Sequence, residues 1–362
     1  MTTPQHIFGV GIDVSKDDFY ACVLRGNHQG ELKKCGLRKF ANSPAGFDQF
    51  HEWLQKRVQA KAGLRILLEA TGVYHERLAY FLYEHDYRLT VELPNKVKNF
   101  GRSLNQTGKT DAIDAAVIAQ MAVERVGRAW QPCCDSAREL RALTRQDQAI
   151  AEDMTAVNNR LHAARLVARP VAAVIDRYEQ QYELLEEQRE AIKTEIKLLR
   201  RADEALDVVL TRLETIPGVA TRTAAVMAAE LNNFQLFRTR EQLVKFCGLD
   251  ILDYESGSSV YRKSKVSKRG NARVRRALYM AAMEHMKKGR GTVFSRQYHR
   301  VYERLGIKTQ ARMAIMRKLL VVMFALIKNG TDYQADRHFA HQHSDPTKRV
   351  GEPELAYSDS MG

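Results

Sequence analysis

The sequence predicts an α/β domain followed by a long helical region, so the fold class is α/β plus α. Three observations carry this. Short β-rich runs open the chain as a hairpin and then alternate with helical periodicity as far as Pro132. Apolar residues spaced alternately four and three apart then run from Val171 to Leu213. Beyond Ile216 the apolar segments keep a helical period and flank a basic run that contains no acid.

Residues 7–14 (Ile-Phe-Gly-Val-Gly-Ile-Asp-Val) read as a buried strand whose one charge is Asp13. A Ser-Lys-Asp turn leads to a second β-rich run, Asp18 to Leu24, which completes a hairpin. Leu37 to Phe40 is expected as a third strand. Gly46 to Val58 sets Phe47, Phe50, Trp53 and Leu54 at helical spacing. Leu64 to Leu68 is an apolar strand that ends in Glu69-Ala70-Thr71-Gly72. Tyr74 to His85 reads as helix and Arg88 to Leu93 as strand, followed by Pro94 and a loop. Hairpin strands followed by strand–helix alternation mean a mixed sheet with helices packed on it.

Trp130-Gln131-Pro132 closes this first domain, 1–132. A helix is then expected over Ala137 to Ala168, with its break at Pro170. Val171, Ile175, Tyr178, Tyr182, Leu185, Ile192, Ile196, Leu199, Leu206, Leu210 and Leu213 form a heptad seam that only Arg189 and Asp203 interrupt. The seam predicts coiled-coil helices over 133–214, paired within the chain or between protomers, with an oligomerising role preferred. The third region, 215–333, contains helical segments at Thr221 to Leu231, Phe234 to Leu249 and Arg312 to Ile327. The polar tail, 334–362, is expected to be disordered, with a metal site at His338, His341 and His343 as the lesser alternative.

Lysine and arginine number 57 against 43 acidic residues in 362, a formal charge of +14. That excess calls for a polyanionic partner, nucleic acid before an anionic membrane. A 44% hydrophobic share excludes wholesale disorder. No apolar run approaches the ~20 residues of a bilayer span, and Met1 to Gly9 lacks the features of a signal peptide, so a cytoplasmic protein is expected. Five cysteines without CxxC spacing argue against a disulfide framework or a zinc site.

The chemistry-bearing stretch is Gln106 to Ala115, a glycine-containing loop running into an apolar helix, Ala115 to Val126. Thr110 is a suitable N-cap, and Asp111 and Asp114, three apart, project from one face of the first turn. Complementing the helix dipole requires one acid; two on one face leave a hard-cation site equally open. What decides is whether other carboxylates reach the same point. Asp13 and Glu69 do so if their strands are neighbours, since paired strands lie ~4.8 Å apart. Four carboxylates together require cations, and Mg²⁺, singly or as a pair, suits oxygen ligands and phosphodiester cleavage.

Ile216-Pro217-Gly218-Val219-Ala220 resembles a helix-hairpin-helix turn able to hold a phosphate, although Ala220 replaces the usual second glycine and a plain inter-helix turn explains it as well. Arg262, Lys263, Lys265, Lys268, Arg269, Arg273, Arg275 and Arg276 follow without a counter-charge, which points to a phosphate backbone. Ahead of them stands Tyr254-Glu255-Ser256-Gly257-Ser258-Ser259. Its serines have no histidine close in sequence, but a hydroxyl beside bound phosphate is placed for nucleophilic attack.

Taken in order, Gly11-Ile12-Asp13-Val14-Ser15-Lys16, Leu68-Glu69-Ala70-Thr71-Gly72, Lys109-Thr110-Asp111-Ala112-Ile113-Asp114-Ala115, Ile216-Pro217-Gly218 and Tyr254 to Ser259 resemble the DEDD-type transposases of bacterial insertion sequences. These are bridge-RNA-guided recombinases related to Piv-type DNA invertases, and the resemblance covers residues 7 to 330. It implies a ribonuclease-H-like N-terminal domain, similar to Holliday-junction resolvases, in which Asp13, Glu69, Asp111 and Asp114 bind Mg²⁺, with Mn²⁺ as a substitute. It implies a C-terminal transposase domain in which Ser256 is the nucleophile that forms a phosphoserine with DNA. It further implies donor and target DNA, a guide RNA encoded by the element, and a homo-oligomer, dimer or tetramer, with sites shared between protomers. The alternatives are a site-specific invertase, a metal-dependent junction or RNA nuclease in which water attacks, and a non-catalytic RNA-binding scaffold. A sugar kinase or actin-like ATPase ranks last because the Gly-rich phosphate turn is missing.

Overall fold

The computed structural model describes residues 7–27, 31–58, 61–106, 108, 110–256, 260–287, 289 and 291–335, with the backbone alone over 252–256 and 260–265. The histidines of the tail, and Gly257, Ser258, Ser259 and Lys109 of the motifs, lie outside the described residues. The chain divides into two compact units, Met1–Pro132 and Cys133–Gly362.

The first unit contains β1 (Ile7–Val14), β2 (Asp18–Gly26), β3 (Leu32–Ala41), α1 (Pro44–Gln55), β4 (Leu64–Glu69), α2 (Glu76–Glu84), β5 (Leu89–Glu92), α3 (Pro94–Ser103) and α4 (Asp111–Glu124). Its five strands lie in the order β3-β2-β1-β4-β5, so β3 and β5 are the outer strands. β1 pairs antiparallel with β2 and parallel with β4, and β4 pairs parallel with β5. A hairpin meander continued by parallel strand–helix units is a ribonuclease-H-like sheet. Alternate residues face opposite sides. Val10, Ile12, Phe19, Val23 and Phe40 pack with Phe47, Phe50 and Trp53 of α1 and Leu78 and Leu82 of α2. The opposite face receives α4, where Leu67 of β4 meets Val117, Ile118 and Met121.

Gly9 and Gly11 explain how closely α4 approaches. A Cβ on Gly11 would lie 2.0 Å from the Ala119 nitrogen and 2.3 Å from the Ala115 carbonyl oxygen. The helix backbone therefore rests directly on β1. The ten-residue helix α3 replaces the loop expected after Pro94. Pro94 opens it at a first-turn position, where a missing N–H costs nothing, rather than ending the preceding structure.

The second unit contains α5 (Asp135–Leu166), α6 (Ala172–Ala202), α7 (Glu204–Glu214), α8 (Thr221–Glu230), a 3₁₀ turn at Asn232–Phe234, α9 (Arg240–Phe246), β6 (Ile251–Ser256), β7 (Val260–Val266), α10 (Ala272–Met286), α11 (Val293–Leu305) and α12 (Lys308–Asn329). α5 and α6 form an antiparallel hairpin, with Arg165 on Glu179 near its bend and Arg189 on Asp147 further along. Ile192 and Ile196 of the expected seam are buried. Leu206, Leu210 and Leu213 instead belong to α7 and share one core with α8, α10 and α12. The two interruptions of the seam have physical causes. Arg189 reaches across to the Asp147 carboxylate at 2.9 Å, and Asp203 ends α6 and caps α7 by accepting from the Leu206 N–H. The seam is thus used within the chain, although Val171, at its expected start, is exposed. No helix among the described residues is long and apolar enough to cross a membrane. All five cysteines are unpaired.

Candidate active site

Strand register brings Asp13 and Glu69 together. The β1–β4 ladder runs from Phe8 opposite Leu64 to Ile12 opposite Leu68, so Asp13 and Glu69 stand level one residue further on. Asp13 shares a face with Gly9 and Gly11, and Glu69 shares one with Leu67; both faces carry α4. α4 lies along β1 with Val123 and Ala119 over Gly9, and Ala119 and Ala115 over Gly11. Continuing that course brings its N-terminal turn, with Asp111 and Asp114, toward the Asp13 end. Thr110 fixes the turn as its Oγ1 accepts from the Ile113 N–H at 3.3 Å.

The same level extends across all five strands. Asp13 pairs with Tyr20, Tyr20 with Lys39, and Glu69 with Glu92. A transverse row Lys39–Tyr20–Asp13–Glu69–Glu92 therefore lines this end of the sheet. Lys39 binds Asp18 at 2.7 Å and lies over the Tyr20 ring, 5.5 Å from its centroid. The hydrogen bond that Lys39 donates to Asp18 raises its pKa, and the Asp111 carboxylate of α4 adds to the rise. Glu92 was not among the sequence candidates; it pairs with Lys96 at 2.7 Å. The signal available was its position, an acid at the end of a parallel strand just as Glu69 is.

Two loops leave this end and are tied together. Asn42 Nδ2 donates to the Ser15 carbonyl at 2.9 Å and to the Tyr74 carbonyl at 3.1 Å, joining the turn after Asp13 to the loop after Glu69. In that second loop, burial lowers the pKa of His75. Carboxylate oxygens are the donors a hard divalent cation takes, so the donor chemistry fits. Among the described residues, however, no three acidic, histidine or cysteine side chains are grouped closely enough to hold one ion.

The remaining sequence candidates belong to the second unit. Ser256 ends β6 opposite Val260, and Arg262, Lys263 and Lys265 lie on β7. Part of the basic run thus lies on a strand, while Gly257, Ser258 and Ser259 of the expected serine turn lie outside the described residues. Lys268, Arg269 and Arg273 are exposed. Arg275 donates to the Cys247 carbonyl at 3.0 Å, and Arg276 pairs with Glu152 of α5, so these two cations have partners inside the chain. Asn271 caps α10 through its Oδ1 and donates through Nδ2 to Glu230 at 2.8 Å. Arg145 grips the same buried carboxylate at 2.7 and 3.2 Å. The N-terminus that carries Arg273, Arg275 and Arg276 is therefore anchored on α8. Gly218 has φ +82°, and a Cβ there would lie 2.9 Å from His285 Nε2 and 3.2 Å from the Ala281 carbonyl. Close packing on α10 is thus a sufficient reason for this glycine.

Comparison with known proteins agrees with this layout. A family model described as a transposase, of the IS110 DEDD type, matches residues 10–166. A second, described as "Transposase IS116/IS110/IS902 family", matches residues 210–299. The chain is 26% identical over 330 residues to the pilin gene-inverting proteins of Moraxella lacunata and Moraxella bovis, covering 91% of this chain and 98% of each of theirs. It is also 26% identical over 234 residues to the transposase for insertion sequence element IS1328 of Yersinia enterocolitica, covering 58% of this chain and 69% of that one. Models of one family thus match both the acid-bearing first unit and the basic second one, and the chain belongs to the IS110-type DEDD transposases.

Proposed function

We propose that this transposase cuts and rejoins DNA by way of Ser256, with Asp13, Glu69, Asp111 and Asp114 as its metal-binding carboxylates. The observation that carries this is the register that sets Asp13 level with Glu69 beneath the helix bearing the other two acids. A divalent cation, Mg²⁺ with Mn²⁺ as a substitute and two ions per site, supplies neutralisation of phosphate charge when bound. In the proposed step the Ser256 hydroxyl oxygen bonds to a DNA phosphorus and gives its proton to water, while the bond from phosphorus to the 3′ oxygen breaks and that oxygen takes a proton from water. The strand is held as a phosphoserine until another 3′ hydroxyl reverses the exchange. Arg262, Lys263, Lys265, Lys268, Arg269 and Arg273 bind the backbone nearby, with Arg275 and Arg276 setting the helix that follows. The turn at Gly218 is proposed as a further backbone contact.

The proposal extends to a guide RNA that pairs with donor and target DNA, and to a homo-oligomer whose sites combine the acids of one protomer with the serine of another. Its functional segments are 1–132 for the acids, 133–214 for assembly and 215–333 for the serine. In an assay joining plasmid-borne donor and target sites, Asp13→Ala and Ser256→Ala are each expected to abolish recombination. Full activity in both variants would sink the proposal. A trapped protein–DNA adduct separates the serine step from attack by water, and sequencing of co-purified nucleic acid tests the guide. A second reading is inversion of a DNA segment, favoured by the nearly full-length similarity to the two pilin gene-inverting proteins. Sites placed in inverted orientation on one plasmid distinguish it.

A further inference from the structure

A cavity of about 290 Å³ opens at the opposite end of the first unit's sheet from the acids. It lies between the starts of β4 and β5 and the C-terminal end of α4. Arg65 and Glu69 are four residues apart on β4, which at ~3.3 Å per residue separates the two ends by about 13 Å. Lys61, Arg65, Arg88 and Arg125 line the cavity, and its lining includes no aspartate or glutamate. Among the described residues none of these four cations is in an ion pair.

Their existing contacts orient them without neutralising them. Arg65 Nη1 donates to the Val123 carbonyl at 2.8 Å, using one of five guanidinium N–H groups. The Arg125 guanidinium lies over the Phe100 ring, 4.8 Å from its centroid. Lys61 Nζ donates to the His85 carbonyl at 2.7 Å and lies 4.8 Å from the Tyr87 ring centroid. The carbonyl end of α4 opposes an anion here with the equivalent of about half a negative charge. The full positive charges of the arginines outweigh it. Three guanidinium groups supply the forked donors that match phosphate oxygens, and Thr90 adds a hydroxyl. Gly127 leaves that hydroxyl room, since a Cβ there would lie 2.7 Å from Thr90 Oγ1. The volume is at the small end for ligand sites, enough for a phosphate with its sugar rather than a large cofactor.

We infer that this cavity holds a backbone phosphate of a nucleic-acid strand, at a site separate from the acids of the same unit. The anion site stands on the cavity alone. Its assignment to nucleic acid rests on the recombinase reading.

The test measures binding of labelled single-stranded RNA, single-stranded DNA and duplex DNA to the full chain across a salt series, with pyrophosphate as a separate probe. Arg88→Gln combined with Arg125→Gln is expected to weaken at least one of the three strands by about tenfold or more. It is also expected to lower the log–log salt slope for that strand by about 0.7–0.9, the contribution of one phosphate. The strand affected identifies the source of the phosphate. Val126→Glu, which puts an acid on the exposed rim, is expected to act in the same direction and serves if the double variant unfolds. Unchanged affinity and slope for all three strands would overturn the inference. So would pyrophosphate stabilising wild type but not the variant while strand binding stays unchanged, because the site would then take a free anion. Asp13→Ala runs in parallel: if it recombines normally while the cavity variants lose strand binding, the catalytic reading fails and this one stands.

Discussion

Replacing Gly11 by alanine probes how the two halves of the acid cluster are held together. The added methyl carbon would sit 2.0 Å from the Ala119 nitrogen, 2.3 Å from the Ala115 carbonyl oxygen and 2.6 Å from the Ile118 carbonyl carbon. All three are backbone atoms of α4, so no side chain can swing aside. Non-bonded carbon contacts begin near 3.5 Å, so the helix has to lift from β1 by more than about 1 Å. Overpacking of this kind costs about 1–3 kcal/mol, and with the clash entirely against backbone the upper end is expected. For a unit of this size that lowers the melting temperature by roughly 4 °C per kcal/mol. The same shift carries Asp111 and Asp114 away from Asp13 and Glu69, and a misplacement of ~1 Å costs about a hundredfold in rate. Gly101→Ala is the control. It lies inside α3, where the new methyl group meets only Val117 Cγ1 at 3.4 Å, so stability should hold or rise by about 0.5–1 kcal/mol. Thermal unfolding followed by circular dichroism, and recombination between plasmid-borne sites, read the two effects. Wild-type melting and activity in Gly11→Ala would refute the claim that contact between β1 and the α4 backbone positions the acids.

Three further outcomes follow from the geometry. Thr110→Ala removes the cap of α4 and should cost about 1 kcal/mol by thermal unfolding, with recombination reduced as the acid-bearing turn frays. Arg145→Leu leaves the Glu230 carboxylate buried with a hydrogen bond from Asn271 but with its charge uncompensated by Arg145; denaturant unfolding of the second unit should show a loss of about 3–5 kcal/mol. Burial lowers the pKa of His285, with a backbone contact at Pro217 opposing, so the folded chain resists protonation that the unfolded chain accepts near pH 6.5. Stability contributed by neutral His285 is therefore complete above that pH and declines as pH falls below it; melting of the wild type from pH 8 to 5 should show this, and His285→Gln should flatten it.

The fold class was legible because most elements keep one period of burial along their length. β1, β2 and β4 are apolar runs ending in polar turns, and α1 repeats its apolar positions with helical spacing. The elements that escaped are rich in polar residues. α3 is polar and begins with a proline that reads as a stop, α11 sets Phe294 and Tyr298 among charged residues, and β7 carries Arg262 and Lys263 side by side rather than an apolar alternation. The long seam concealed the break at Asp203, since a heptad count ignores a residue that ends one helix and caps the next. Asp13 and Glu69 stood out as lone acids in apolar strands, and Asp111 and Asp114 as a pair on one turn. Which strands adjoin was not readable locally, because β4 pairs with β1 across fifty residues. Glu92 was hidden for that reason, and so was the cationic cavity, whose members come from β4, β5 and α4.

β3 has a consequence for how copies of the molecule meet. It is ten residues long and occupies one flank of the sheet, leaving a row of peptide groups open to a further strand. Lys33, Lys34, Arg38 and Lys39 are all exposed along it. Two such flanks repel each other, and lysine on an open edge is the usual guard against end-on sheet growth and aggregation. Joining of copies by sheet extension is therefore disfavoured at this flank.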